Sequence, residues 1–167
     1  SLRQLSELRR TGIDLRIAVN ASPSQLGDPE FPELVARALG TWSVPADRLT
    51  LEVTESAVMV DVEQSLRAMH RLKQQGVRLS IDDFGTGYSS LAYLQRMPLD
   101  ELKIDKVFVR NMLEHRADEQ IVCSIIDLAH NFELEAVAEG VETLATVEML
   151  ARLGCDLIQG YVYCHPM

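Results

Sequence analysis

The 167-residue chain lacks the marks of several large protein classes. No apolar run approaches the ~20 residues of a membrane-spanning helix. No signal-peptide pattern opens it. Positive charge is in deficit: the formal net charge is −9, which argues against non-specific binding to a nucleic-acid polymer or an anionic membrane. An anionic substrate remains compatible, provided that a metal supplies positive charge. Cysteine is scarce. Cys123, Cys155 and Cys164 lie far apart and form no CxxC, which argues against a disulfide framework or zinc ribbon. The expectation is small buried thiols in a reducing cytoplasm. Linkers, low-complexity stretches and charge blocks are also missing, so residues 1–167 read as one domain.

What is present is a regular alternation. Hydrophobic residues make up 47% of the chain, enough for a core. "SLRQLSELRRTG" puts Leu2, Leu5 and Leu8 on one helical face, with Gly12 placed to end it. "IDLRIAVN" alternates as a strand does, with Ile13, Leu15, Ile17 and Val19 on one side. A helix is expected from Pro29 to Leu39, then a strand in "LTLEVTES". Asp61 is placed to cap a helix running to Gln75, with Gly76 as its stop. The pattern repeats: strand "VRLSIDD", helix "SSLAYLQRM" ending before Pro98, strand "ELKID", helix Asp118 to His130. Strand "ELEAVAEG", helix "TLATVEMLARLG" and strand "DLIQGY" complete it. Strict alternation with short turns predicts an α/β fold with a parallel sheet and crossover helices.

Nearly every predicted strand ends in a polar residue: Asn20, Glu52, Asp82 with Asp83, Lys103 with Asp105, Glu139, Gln159. In a parallel sheet the strand C-termini share an edge, and in a (β/α) barrel that face carries the active site. Polar residues also end strands simply because strands run out into loops. Glu52 and Asp82, however, sit within apolar strands, where an unpaired carboxylate is costly, so a cation should compensate. Several carboxylates and an amide, with no histidine among them, suit a hard cation such as magnesium, manganese or calcium. His70, His115, His130 and His165 fall on predicted helices or near the C-terminus and read as surface or core residues. Adjacent strand residues normally point to opposite faces. Asp82 and Asp83 reach one site only where the strand ends and the backbone turns. One carboxylate bridging two ions and the other binding the second suits in-line phosphodiester hydrolysis, whose ions sit ~3.5–4 Å apart. Gly85 and Gly87 let the following loop fold tightly.

"VNASPSQL", "LEVTES", "DDFGTGYSS", "LKID", "AEGVE" and "QGY", in this order, resemble the signatures of the EAL-domain family, bacterial phosphodiesterases that linearise cyclic di-GMP. The resemblance covers essentially the whole chain and implies a TIM-like (β/α) barrel. It implies Asn20, Glu52 and Asp82 as metal ligands and Asp83 at the second-metal position. It implies Lys103 beside the attacking water and phosphate, and Glu139 as general base or second-metal partner. Gln159 matches a polar residue of the pocket, and Glu55 the glutamate that holds the loop starting at Asp83. Asp105 is grouped with these supporting residues. Mg2+ or Mn2+ is the implied cofactor in a two-metal site, with Ca2+ inhibitory. A homodimer is implied too, as is an upstream sensory or GGDEF-type domain in the full-length protein, which itself could be membrane-anchored.

The EAL triplet itself does not occur in the chain. Roughly six strands are found where a closed barrel of this type has eight. The expectation is therefore an incomplete barrel lacking its first strands, with little activity alone and open edges that invite association. Two alternatives stand beside the phosphodiesterase. One is an inactive domain acting as a cyclic di-GMP receptor or protein-interaction module. The other is a barrel lyase using Lys103 as a Schiff-base amine, which the surrounding carboxylates oppose.

Overall fold

The computed structural model describes residues 1–85 and 91–163. Its elements alternate as α1 (Leu2–Arg10), β1 (Ile17–Asn20), α2 (Pro23–Leu26), α3 (Phe31–Trp42), β2 (Leu49–Thr54), α4 (Glu55–Met59) and α5 (Val62–Gln74). They continue with β3 (Arg78–Phe84), α6 (Leu91–Leu94), β4 (Glu101–Ile104), α7 (Lys106–Asn111), α8 (Arg116–Asn131), β5 (Glu135–Glu139), α9 (Leu144–Leu153) and β6 (Leu157–Gln159). The strands follow chain order in a six-stranded sheet. This is the expected α/β class, an incomplete TIM-like (β/α) barrel.

The chain divides into two compact units, Ser1–Ser80 with Ala92–Leu99, and Ile81–Leu91 with Asp100–Met167. In the first, β1 and β2 pair in parallel with Ile17 opposite Leu49 and Asn20 opposite Glu52. Its core gathers Phe31, Val35 and Leu39 of α3, Leu51 and Val53 of β2, and Leu66, Met69 and Leu72 of α5, all buried. Each fully buried side chain of that size contributes ~1.5–3 kcal/mol of transfer free energy. In the second unit, β4 pairs in parallel with β5 and β5 with β6. The α8 helix packs on β4 and β5 and buries Val122, Ile125, Ile126 and Ala129.

Local signals explain most boundaries. The Asp61 side chain accepts a hydrogen bond from the Gln64 amide at 3.0 Å. That helix ends at Gln74, one residue short of the expected Gln75, and Gly76 follows at φ +89° as the expected stop. Thr143 caps α9 and Gly154 closes it at φ +82°.

Several expectations are corrected. The first strand begins at Ile17 rather than Ile13. Ile13 still donates its amide to Leu8 in the turn that ends α1, and β2 offers its first partner only at Leu49. Ile13 and Leu15 are consequently exposed. The helix expected from Pro29 starts at Phe31 and runs on to Trp42. The helix expected across "SSLAYLQRM" is regular only over Leu91–Leu94. Beyond it the Arg96 and Met97 amides reach back three residues, and Pro98 forbids helical continuation at Met97. Ser89 and Ser90 lie outside the described residues. Cys123 and Cys155 are half-buried rather than buried, and free. Burial pushes the Cys155 thiol up to about 11, so it is inert. Cys164 lies outside the described residues. No helix among them is long and apolar enough to cross a membrane.

Replacing the capping residue, Asp61→Ala, should lower unfolding stability by about 1 kcal/mol. Urea denaturation checks this; an unchanged midpoint would contradict the cap's role.

Candidate functional site

In the second unit the site grows from one residue of a buried strand. All of β4 is buried, Lys103 included. An ammonium there needs partners, because burying an isolated charge costs several kcal/mol. Lys103 Nζ lies 3.1 Å from Asp82 Oδ1 and 2.5 Å from Glu139 Oε1. The lysine side chain is 4% exposed, against 14% and 16% for the two acids. The three groups come from neighbouring strands β3, β4 and β5.

Asp83 joins them through an unusual backbone. The strand does not stop at Asp83 as expected; it runs on to Phe84. Instead Asp83 itself is left-handed, with φ +54°. Few residues other than glycine tolerate that conformation, and aspartate and asparagine are the chief ones. A left-handed residue breaks the side-to-side alternation, and the Asp83 amide turns to donate to Asp82 Oδ1 at 3.1 Å. Asp82, Asp83 and Glu139 then each offer an oxygen, all within 4.8 Å of one another. Gly85 follows at φ +98°. A Cβ there would come within 3.2 Å of Ile125 and Phe108. Gly87 lies outside the described residues.

Asp105 is buried at the end of β4 and caps α7, accepting from the Val107 amide at 2.7 Å. It also faces Asp83. Partial burial raises the Asp83 carboxyl above its usual range, and the neighbouring Asp82 and Asp105 carboxylates raise it further, with Lys103 pulling the other way. Among the described residues, the carboxylates of Asp82, Asp83, Asp105 and Glu139 thus gather around the Lys103 ammonium and one another. The acidic, oxygen-only donor set fits a divalent metal ion.

The structure places Gln159 at the end of β6, exposed and opposite Glu139 in register. In the first unit it places Asn20 and Glu52 side by side on paired strands, Asn20 exposed and Glu52 buried. Glu55 opens α4 half-buried, behind the capping hydroxyl of Thr54, which accepts from the Ala57 amide. The histidines are peripheral as expected: His70 is exposed on α5, His115 precedes α8, and His130 pairs with Asp156 at 2.9 Å. His165 lies outside the described residues. Sequence reasoning passed over Arg110, which holds Glu142 at 2.6 Å; the second acid of "AEGVE" was the available signal.

The EAL domain family model matches residues 1–166. The chain is 44% identical over 166 residues to a Pseudomonas aeruginosa protein named cyclic di-GMP phosphodiesterase NbdA, covering 99% of this chain and 21% of that one. It superposes on the MucR phosphodiesterase in its c-di-GMP complex with a TM-score of 0.93 at 44% identity, covering 99% of this chain and 68% of that one. It also matches a Klebsiella pneumoniae BlrP1 calcium/cyclic di-GMP complex, with a TM-score of 0.88 at 30% identity and coverage of 99% and 42%. The chain spans about a fifth of the length of the curated relatives it matches.

In metal-free protein, Asp83→Asn should be stabilising, with a gain that grows with pH. A carboxyl whose pKa is raised on folding costs stability as pH rises from its unfolded value through its folded one, and the amide removes that cost while keeping a left-handed-tolerant residue. Chemical denaturation with EDTA at pH 4 and pH 7 reads the difference; a larger gain at pH 4 would contradict it.

Proposed function

The chain belongs to the EAL domain family, and from that premise we propose that it is a metal-dependent phosphodiesterase module hydrolysing cyclic di-GMP to the linear dinucleotide. The observation that carries this reading is the group of Asp82, Asp83 and Glu139 oxygens held within 4.8 Å around the buried ammonium of Lys103. The printed names of NbdA and of the MucR complex support the substrate.

Asp82, Asp83 and Glu139 would hold the cation, and the family resemblance assigns Asn20 and Glu52 of the first unit as metal ligands too. Mg2+ or Mn2+ is the metal proposed, and when bound it supplies an acidified water and neutralises phosphate charge. Ca2+ accepts the same oxygens but at longer distances and in looser geometry, and is proposed to inhibit. Glu139 accepts the proton of the attacking water. Lys103, held by Asp82 and Glu139 in a buried strand, steadies the charge that develops on the phosphate. Gln159 orients the substrate from the end of β6. Glu55 and Asp105 position the segment that starts at Asp83. Asp105 does so while anchored on the Val107 amide.

The wider assembly proposed is a homodimer whose full-length form carries a further sensory or GGDEF-type domain and presents this one to the cytoplasm. The small share of each relative that the chain covers supports the further domain, as does the bifunctional name of MucR from Pseudomonas aeruginosa. Residues 1–167 are accordingly read as one partial EAL-type domain.

In the full-length protein, Asp82→Asn should cut metal-dependent hydrolysis of cyclic di-GMP more than ~100-fold, since even residues behind a metal ligand cost 10–100-fold. Chromatographic separation of cyclic and linear dinucleotide, across Mg2+ and Mn2+ titrations, measures it. Near-normal turnover by the variant would sink the proposal.

A further inference from the structure

Two glycines directly follow site residues, and each occupies a place where no side chain fits. Gly140 follows Glu139, at φ +65°. A Cβ there would lie 2.6 Å from Lys106 Cβ and 3.5 Å from Lys106 Cα. Lys106 is the first residue of α7 and directly follows Asp105. Gly160 follows Gln159. A Cβ there would lie 2.1 Å from the Val141 carbonyl oxygen, 2.4 Å from its nitrogen and 2.7 Å from its carbonyl carbon. These are backbone atoms and cannot swing aside as a side chain can.

The close approaches are bonded together. The Val141 amide donates to the Gln159 carbonyl at 3.1 Å, and the Val162 amide donates to the Val141 carbonyl at 3.1 Å. Val141 is fully buried. Arg110 of α7 donates to Glu142 at 2.6 Å. The start of α7 and the backbone that follows β5 and β6 are thereby stacked in one clasp, with Glu139 and Gln159 at its rim.

We infer that Gly140 and Gly160 are positioning residues that, through this clasp, aim the Glu139 carboxylate at Lys103 and at the Asp82–Asp83 carboxylates. The inference rests on the metal-site reading above. The bond from Glu139 Oε1 to Lys103 Nζ, 2.5 Å, has little slack. A shift of the β5 end by the ångström or so that an added methyl group demands at Gly140 would remove Glu139 from the group. At Gly140 the obstruction is another residue's Cβ, so deleting that Cβ relieves it. At Gly160 the obstruction is backbone, so no second substitution does.

The test compares Gly140→Ala, Gly160→Ala and Gly154→Ala in the full chain. Gly154 shares the left-handed backbone of Gly140, at φ +82°, but its nearest neighbour to a new Cβ is 3.9 Å away. It therefore controls for backbone strain. Mn2+ binding is followed by electron paramagnetic resonance and folding by thermal denaturation. The Gly140→Ala and Gly160→Ala variants should bind Mn2+ about tenfold or more weakly, as when the groups that orient metal ligands are lost. Gly154→Ala should bind it as wild type does. Adding Lys106→Gly should restore binding to Gly140→Ala and not to Gly160→Ala. Wild-type affinity in both site glycine variants, an equal loss in Gly154→Ala, or no rescue would overturn the inference. Hydrogen exchange on unmodified, metal-free protein tests the clasp even if a variant fails to fold: the Val141 and Val162 amides should exchange among the slowest of the loop residues, and rapid exchange there overturns it. Failure of the wild type to take up Mn2+ refutes the metal-site reading, and with it the aiming role, while the exchange result still decides whether the clasp exists.

Discussion

A single buried ammonium organises the candidate site. Lys103 sits in a buried strand with almost no solvent to stabilise its charge, and Asp82 and Glu139 close on it from the flanking strands. The converse holds equally. Without Lys103, the acids of three neighbouring strands would repel one another in a partly buried place. A buried ion pair of this kind adds little net stability over an apolar packing, but breaking it by removing one partner is expensive. Its value here is geometric. It brings two carboxylates to fixed distances beside Asp83, in an acidic group with the oxygen donors that a divalent cation takes.

The backbone enforces that arrangement at points where ordinary residues would not serve. A regular strand sends Asp82 and Asp83 to opposite faces; the left-handed conformation of Asp83 reverses that. Its carboxyl then meets Asp82 and Asp105, and its raised affinity for a proton records the crowding. The turn is strained for most side chains and lies where three carboxylate oxygens come within a small volume. The glycines that follow β3, β5 and β6 continue the theme, because each lets backbone come closer than a side chain permits.

Much of this was legible in the residues. Alternating strand and helix patterns predicted the α/β class, and polar residues at apolar strand ends picked out Asp82, Asp83, Lys103 and Glu139, which the structure brings together. The capping aspartate at 61 and the glycines at 12, 76 and 154 marked helix ends where the structure has them. Other features were not legible, for physical reasons. The short helices α2, α4 and α7 are too brief to show periodicity, and only their caps, Ser22, Thr54 and Asp105, announce them. The late start of β1 depends on where its partner strand begins, which is a tertiary fact. The left-handed turn at Asp83 is likewise set by what surrounds it, so the reading that the strand must end there found the right consequence by the wrong device. That Lys103 is the hub rather than a bystander was implied by a lysine inside "ELKI", a strand with no solvent-facing position.

The most direct measurement is the anomalous diffraction of crystals grown with Mn2+. The account predicts a manganese peak coordinated by carboxylate oxygens of Asp82, Asp83 and Glu139, with Lys103 still paired to Asp82 at the edge of the site. Manganese bound elsewhere with these carboxylates unliganded, or no manganese at a concentration that saturates related enzymes, would contradict it.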